Sequence, residues 1–257
     1  MDSVRVAGTA RASVARQWPG SAAVYEYVKR LNASSLERNW RLDGEGLERL
    51  EHFRSGMLAF NHGHLVDGTV AMPLLEQRIL FLCDARAYDS PILGHALRAM
   101  GAIRVDVTRP DPAAAIATMR HARAGHLLGI FPEGKVSGAS GLIPARDGVG
   151  YLAARLGLPV LPVALWGLES FNRPLDVYLL QRRPVIHVRV GTPQAIRIPH
   201  RDREAGRAAA DAIMLLIAQQ LPESLRGVYR EGNKPHERGK RALAAGWVQP
   251  IEPIDTA

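Results

Sequence analysis

The sequence predicts an α/β protein in which helices flank a largely parallel or mixed central sheet, preceded by an N-terminal amphipathic helix. From about residue 39, short apolar runs alternate with longer stretches of helical periodicity. The run 127–131 is almost wholly apolar, which is typical of a strand buried on both faces of a sheet. Pro112 stands where the first turn of a helix favours proline, and Gly125 stands where that helix would end.

Three segments follow from the length and the pattern. The chain has 257 residues, of which 47% are hydrophobic, so it can bury a sizeable core and global disorder is excluded. We predict an arm with the amphipathic helix at 1–38, the α/β domain at 39–225, and a C-terminal tail at 226–257 with no assigned function.

The N-terminal helix is predicted from residues 21–32, where one helical face is apolar and the other is charged. We expect the apolar face to pack on the body of the protein, with contact to a membrane surface as the alternative. The apolar face consists of Val24, Tyr27, Val28 and Leu31.

The remaining elements follow in alternation. Strands are predicted at 57–60, 79–83, 102–107, 127–131, 159–166 and 184–190. Helices are predicted at 69–77, 90–99, 112–124, 147–157 and 202–221. Open α/β sheets bind ligands beyond the carboxyl ends of their strands, so chemistry is expected in the loops 61–68, 108–111 and 132–146.

The first of these loops carries a histidine and an aspartate. A neutral imidazole is the commonest general base near neutral pH, and a carboxylate on its other nitrogen fixes its orientation. His62 and Asp67 have this potential. Two alternatives stay open on the residues alone: Asp67 is a helix-capping acid, or His64 is its partner instead.

The other two loops carry charges that suit an anionic ligand. Arg109 follows a predicted strand, where a guanidinium can hold a phosphate with two hydrogen bonds. In the third loop, Gly134 permits close approach of the backbone to a ligand, between Glu133 and Lys135. No Walker glycine pattern is present, which disfavours a nucleoside triphosphate. The alternative for both loops is an exposed turn with solvated charges.

A fourth segment, 158–165, is a strand-like run with prolines at 159 and 162. Because proline lacks a backbone donor, we expect this strand to lie at an edge or to carry a bulge.

Charge and composition narrow the partners. The net charge of +8 favours anionic partners: nucleic acid, acidic lipid surfaces, or phosphorylated and CoA-like molecules. No nucleic-acid-binding signature is present, and no Cys/His cluster has the spacing of a zinc site, so no metal is expected. Cys83 is the single cysteine, so no intramolecular disulfide can form. No stretch approaches the roughly 18 apolar residues of a transmembrane helix, so action on lipid is expected from the membrane surface.

The four segments, taken together and in this order, resemble the glycerolipid acyltransferase family, which includes the 1-acylglycerol-3-phosphate acyltransferases. The matching residues are Asn61-His62…Asp67, Gly101…Arg109, Phe131-Pro132-Glu133-Gly134 and Leu158-Pro159-Val160-Leu161-Pro162-Val163. The block Phe-Pro-Glu-Gly-Lys-Val also looks like the tafazzin branch, whose members exchange acyl chains between phospholipids and lysophospholipids.

The resemblance implies a mechanism and a set of roles. His62 would deprotonate a hydroxyl of a lysophospholipid, most simply 1-acylglycerol-3-phosphate, and Asp67 would orient the imidazole. The alkoxide would attack the thioester of acyl-CoA or acyl-carrier protein as co-substrate, with no bound cofactor and with Cys83 as a bystander. The acceptor-binding residues would be Arg109, Glu133, Gly134, Lys135 and Ser137, with Asn61 and His64 as local partners of the base.

Three positions depart from the family pattern. His64 stands where serine is frequent, Val136 where arginine is frequent, and Asp84 where lysine is common. The expected location is the cytoplasmic face of a membrane, with the protein peripherally associated with anionic lipid as part of phospholipid biosynthesis. Two alternatives to the thioester-dependent reaction stay open: a CoA-independent transacylase, and a non-catalytic protein that binds anionic lipid.

Overall fold

The structure is a computed structural model, and it describes residues 18–91, 93–169, 171, 185–199 and 203–251. In that part of the chain a single sheet contains nine strands. They are β1 (Arg41–Glu45), β2 (Met57–Phe60), β3 (Ile79–Asp84), β4 (Ile103–Val105), β5 (Leu127–Ile130), β6 (Val160–Trp166), β7 (Val185–Val190), β8 (Gln194–Ile196) and β9 (Val248–Pro250). Residues 1–17 of the predicted arm lie outside the described part.

The sheet is largely parallel. Its order is β1-β7-β6-β2-β5-β3-β4, with β8 joined to β6 and β9 joined to β8. Antiparallel pairing is confined to β6 with β7, β6 with β8, and β8 with β9, while the other neighbours run parallel. The predicted α/β class with a largely parallel or mixed sheet is therefore confirmed.

Helices cover both faces of the sheet. They are α1 (Ala22–Asn39), α2 (Glu48–His52), α3 (Asp67–Ala71), α4 (Ala85–Tyr88), α5 (Leu93–Ala99), α6 (Pro112–Arg123), α7 (Asp147–Leu156), α8 (Arg203–Ala218) and α9 (Lys234–Ala244). Helix α6 begins as predicted, because Pro112 occupies its first turn and the Asp111 carboxylate accepts a hydrogen bond from Ala114 N.

Strand β2 explains how the core is divided. Its four residues are buried, and alternate side chains point to opposite faces. Met57 and Ala59 join an apolar cluster with α8, whereas Leu58 and Phe60 join a second cluster on the other face. Strand β2 therefore needs an apolar residue at every position. Its carboxyl end is fixed between the two apolar clusters.

The six predicted strands are confirmed to within two residues at their ends. The helix predicted at 69–77 is correct only in part, because α3 stops at Ala71 and a 3-10 turn at Met72–Leu74 contains Pro73. Six elements were not predicted, namely β1, α2, α4, α9, β8 and β9. All except α9 have five residues or fewer.

The apolar face of the N-terminal helix is not packed as expected. Helix α1 forms, but Val24 is 37% exposed, Tyr27 65% and Leu31 53%. The helix docks through Tyr25 instead, whose ring contacts Trp18 and whose hydroxyl accepts a hydrogen bond from Ile79 N. Three of the four residues of the predicted packing face therefore point outward, and the fourth, Val28, is half-buried.

The proline-bearing strand was expected to lie at an edge or to carry a bulge, and the edge position is wrong. Strand β6 is central, between β2 and β7. Along its side away from β2, β6 pairs with β8 at Val160 and with β7 from Val163 to Trp166. Pro162 falls between these ladders and offers its carbonyl to Gly191 N, so the missing donor lies where the neighbouring strand changes.

Part of the segment assigned to a C-terminal tail is folded. Helix α9 packs on α8 through Gly239, where an added Cβ would lie 2.7 Å from the carbonyl oxygen of Asp211. Strand β9 extends the sheet beside β8.

Candidate active site

The candidate site lies where three neighbouring parallel strands end. Strand β2 sits between β6 and β5, so the loops that follow these strands meet at one edge of the sheet. Asn61 and His62 follow β2, Phe131 follows β5, and Gly167 follows β6. The predicted location at the carboxyl edge agrees with this topology.

His62 and Asp67 are in contact. The Nδ1 atom of His62 lies 3.1 Å from Oδ2 of Asp67. Asp67 is the first residue of α3 and is almost wholly buried, whereas the His62 ring is partly exposed. Burial raises the pKa of Asp67, and its hydrogen bonds to His62 and His64 act in the opposite direction. The arrangement can hold an imidazole with Nδ1 toward the carboxylate and Nε2 free for a substrate proton.

His64 takes a different place. Its backbone N donates to Oδ2 of Asp67 at 2.8 Å, and its ring Nδ1 accepts from Val66 N at 3.4 Å. The ring of His64 is thus turned toward its own loop, and the ring paired with Asp67 belongs to His62.

The backbone of His62 is fixed on both sides by the third loop. Its N–H donates to Oε1 of Glu133 at 2.7 Å. Its carbonyl accepts from the N and the Oγ of Ser137, at 2.7 Å and 3.0 Å. The Glu133 and Ser137 side chains therefore hold the base.

Glu133 does not have the position expected of an acceptor ligand. It is 1% exposed, and its second carboxyl oxygen accepts from Ile143 N at 3.0 Å. Burial raises its pKa to about 7, against the lowering effect of the two backbone donors. With both oxygens engaged and no open surface, Glu133 links two loops rather than facing solvent. Ser137 is half-buried, and its N and Oγ both donate to the carbonyl of His62.

Asn61 anchors the first loop to the sheet. Its Nδ2 donates to Leu165 O and its Oδ1 accepts from Leu165 N, both at 2.7 Å. Because the side chain is buried, loss of this amide would leave two backbone groups of β6 without partners.

Phe131 supports the histidine ring. The two rings stack with centroids 4.1 Å apart and an interplanar angle of 23°. Phe131 in turn stacks on Phe81, so the imidazole rests on a packed aromatic pair. Gly68 lies beside Phe131, and a Cβ there would sit 3.7 Å from the ring.

Arg109 is on the loop after β4, two strands away from β5. Its side chain is 78% exposed, and its Nε donates to Oδ2 of Asp106 at 2.7 Å. Hydrogen bonds from Thr108, and then from Arg109, lower the pKa of Asp106 to about 2. The guanidinium is therefore engaged by a carboxylate. Lys135 is exposed on the third loop.

Arg146 is a cation that the sequence argument missed. A Cβ on Gly134 would lie 3.1 Å from Cγ and 3.3 Å from Nε of Arg146, so the guanidinium stem runs along this glycine. Gly134 has a φ of +69°. Arg146 is exposed, and among the described residues its side chain forms no salt bridge, in contrast to Arg109. Both residues lie in the loop 132–146 where the sequence predicted chemistry, but no motif singles out position 146, because only the folding of this loop brings Arg146 beside Gly134.

Other chemistry finds no support at this edge. Burial raises the pKa of the Cys83 thiol to about 12, so it is a poor nucleophile. Among the residues that the structure describes, no group of three or more His, Cys, Asp or Glu side chains is placed to hold a metal ion. Asp84 pairs with Arg86 at 2.6 Å and accepts from its backbone N.

The fold and the site define an α/β protein with a histidine–aspartate pair at the carboxyl edge of its sheet. A family model described as Acyltransferase matches residues 41–166. A chloroplastic 1-acyl-sn-glycerol-3-phosphate acyltransferase of Brassica napus is 28% identical over 149 residues, covering 56% of this chain and 42% of the relative. The 1-acyl-sn-glycerol-3-phosphate acyltransferase of Cocos nucifera is 29% identical over 178 residues, covering 67% of this chain and 56% of the relative.

Among solved structures, the 1-acyl-sn-glycerophosphate acyltransferase PlsC of Thermotoga maritima is similar, with a TM-score of 0.54 and 16% identity over 66% of this chain and 68% of that one. At this identity the likeness is one of fold. The family model and the plant relatives together support a glycerolipid acyltransferase family for this chain. It spans 42% and 56% of the length of the two plant relatives, and the matches do not distinguish a tafazzin-like branch.

Proposed function

We propose that this chain transfers a fatty acyl group from a thioester to a hydroxyl of a lysophospholipid, with 1-acylglycerol-3-phosphate as the acceptor. The observation that carries the proposal is the His62–Asp67 contact of 3.1 Å at the carboxyl edge of the sheet. The names of the plant relatives support the choice of acceptor.

In the proposed reaction His62 acts as the general base. Its Nε2 takes the proton of the acceptor hydroxyl as the oxygen attacks the thioester carbonyl, and the Asp67 carboxylate stabilises the imidazolium. Collapse of the tetrahedral intermediate breaks the carbon–sulfur bond. The leaving thiolate then takes the proton from His62, which returns the base to its starting state without an acyl-enzyme.

The donor is acyl-CoA or acyl-carrier protein in this proposal. Purified protein supplied with acyl-CoA and 1-acylglycerol-3-phosphate should release free CoA and form the diacyl product, as read by mass spectrometry. Transfer from the acylated carrier protein but not from acyl-CoA would assign the carrier protein as the donor. Acyl exchange between two phospholipids without any thioester would contradict the proposal and favour the transacylase, whose sequence support is Lys135-Val136.

We propose Arg146 as the main ligand of the acceptor phosphate. A guanidinium that lies along Gly134 and has no carboxylate partner in the described part of the chain is free to hold a phosphate with two hydrogen bonds. Arg146→Ala should lower kcat/KM for 1-acylglycerol-3-phosphate by roughly 10- to 100-fold, because hydrogen bonds between charged groups contribute about 1.5–3 kcal/mol.

Three comparisons make this test specific. With monoacylglycerol, which lacks the phosphate, Arg146→Ala should change kcat/KM less than twofold. Arg203→Ala is the matched surface control, because Arg203 is also exposed but is paired with Asp147. Arg109→Ala should have the smaller effect, since Asp106 engages Arg109. A larger loss in Arg109→Ala than in Arg146→Ala would return the phosphate site to Arg109.

Access to the acceptor is proposed to occur at an anionic membrane, on its cytoplasmic face. No helix among the described residues combines the length and the apolar character needed to cross a bilayer. Helix α1 instead presents Val24, Tyr27 and Leu31 to solvent, with Arg30 exposed beside them. An apolar stripe flanked by basic residues suits the boundary between lipid headgroups and acyl chains.

Tyr27→Ser combined with Leu31→Ser should reduce binding to vesicles of anionic phospholipid by at least about tenfold, because each buried apolar side chain contributes roughly 1.5–3 kcal/mol. Co-sedimentation with vesicles measures the change. Ile116→Ser is the matched control, since Ile116 is 60% exposed but lies on α6. Equal losses for the control and the α1 variant would remove α1 from the binding surface.

A further inference from the structure

A buried polar cluster joins the C-terminal elements of the chain. Asp211 on α8 and Tyr229 are both 1% exposed. The Tyr229 hydroxyl donates to Oδ1 of Asp211 at 2.8 Å, and Nε of Arg238 on α9 donates to Oδ2. Burial raises the pKa of Asp211, and the Tyr229 and Arg238 hydrogen bonds counter this by stabilising the carboxylate. A buried carboxylate is costly unless it is paired, so Asp211 requires both Tyr229 and Arg238 as partners.

The oxygen of Tyr229 has a second partner outside this cluster. It accepts a hydrogen bond from Ala145 N at 3.0 Å. Because the hydroxyl proton is directed at Asp211, the lone pairs are left to face Ala145. The loop 141–146 is held a second time through Leu142, whose N donates to Leu225 O and whose carbonyl accepts from Val228 N.

The same loop contacts the candidate base. Ile143 N donates to one oxygen of Glu133, and the other oxygen accepts from His62 N. Arg146 N donates to Pro132 O at 2.8 Å. An unbroken series of contacts therefore runs from Asp211 through Tyr229, the loop 141–146 and Glu133 to the backbone of His62.

We propose that Tyr229, oriented by Asp211 and Arg238, is a positioning residue for His62. This inference rests on the proposed function and extends the machinery beyond residues 41–166, where the family model ends. If the loop 141–146 shifts, Glu133 loses its Ile143 partner and is left buried with one oxygen unsatisfied. The carboxylate then moves, and the base moves with it. A displacement of a catalytic group by about 1 Å costs on the order of 10²-fold in rate.

Tyr229→Phe tests the proposal while keeping the buried ring. With acyl donor and 1-acylglycerol-3-phosphate at saturating concentrations, kcat should fall about 10- to 100-fold. KM for the acceptor is expected to rise as well, because Arg146 lies on the same loop. Tyr25→Phe is the matched control. Tyr25 is also 1% exposed and accepts from a backbone N–H, that of Ile79 at the start of β3. The unfolding temperature should drop by a similar amount in Tyr25→Phe and in Tyr229→Phe, but kcat should be unchanged in Tyr25→Phe. A loss of kcat in Tyr25→Phe equal to that in Tyr229→Phe would overturn the proposal.

A double-mutant cycle identifies the route. If Tyr229 acts through Glu133, Tyr229→Phe should change kcat less than threefold when Glu133→Gln is already present. Losses that simply multiply in the double variant would mean that Tyr229 acts independently of Glu133, and the proposed route would be wrong.

Amide hydrogen exchange gives a readout that needs no activity. In Tyr229→Phe the backbone amides of Ile143 and His62, both donors to Glu133, should exchange at least tenfold faster than in the unchanged protein. In Tyr25→Phe they should keep their protection. Unchanged exchange at His62 in Tyr229→Phe would overturn the positioning role. A protein that shows the exchange effect but transfers no acyl group would refute the proposed function alone.

Discussion

Replacing His62 with alanine should lower the rate of acyl transfer by roughly 10²- to 10⁴-fold, the range of a positioned general base. Three kinds of contact fix His62. Its Nδ1 contacts Asp67, its ring stacks on Phe131, and its backbone is hydrogen-bonded to Glu133 and Ser137. None of these contacts uses Nε2, which is left for the substrate proton. The rate is measured as product formation at saturating donor and acceptor.

Two histidines serve as controls for this variant. His187 on β7 also contacts a carboxylate, with Nδ1 at 2.7 Å from Oδ2 of Asp43, but it lies outside the three loops of the site. His187→Ala should retain transfer. His64→Ala keeps the backbone donor to Asp67 and should lose less than tenfold. Activity that survived in His62→Ala and disappeared in His64→Ala would reassign the base. Vesicle binding should persist in all three, which separates catalysis from lipid binding.

The buried strands could be predicted because a strand buried on both faces consists almost wholly of apolar residues. Strand β2 needs an apolar residue at every position, since both faces meet a core, and β5 repeats the pattern. Strand β6 was predicted as a strand too, but its central position was not, because a proline at a change of strand partner costs no hydrogen bond. For α1, periodicity reveals an apolar face but not what covers it. The edge strand β1 is exposed over most of its length and so leaves no apolar signature.

The site was predictable where its residues are neighbours in sequence. The spacing of His62 and Asp67 spans one loop and the first turn of α3, so local geometry alone brings them together. Glu133 is 71 residues from His62, and its contact with the backbone depends on β5 lying beside β2. The sequence indicated the importance of Glu133 but not that both of its oxygens are engaged. Arg146 lies in the predicted loop 132–146, but no motif or spacing singled it out within that loop.

Replacing Asp67 with asparagine should lower transfer on the order of 10²-fold while leaving the unfolding temperature unchanged or higher. One oxygen of Asp67, Oδ2, accepts from both His62 Nδ1 and His64 N, at 3.1 Å and 2.8 Å. An asparagine with its carbonyl oxygen in that place keeps both hydrogen bonds and loses the negative charge. Rate falls because the imidazolium formed during proton transfer loses its counter-charge. Stability is kept because a buried carboxylate, whose pKa is raised by burial, is costly to hold ionised.

A lower rate with unchanged or higher stability in Asp67→Asn would separate two roles of Asp67: stabilising the imidazolium of His62, and holding the loop at the start of α3. If Asp67 serves only to hold the His64 N–H and begin α3, Asp67→Asn should transfer acyl groups normally, whereas Asp67→Ala should lose both stability and rate. Asp111→Asn is the matched control, because Asp111 also accepts from two backbone donors, Ala114 N and Asp106 N, at the start of α6. Its kcat should not change. Normal transfer by Asp67→Asn would leave His62 without a charged partner and would require a different source of imidazolium stabilisation.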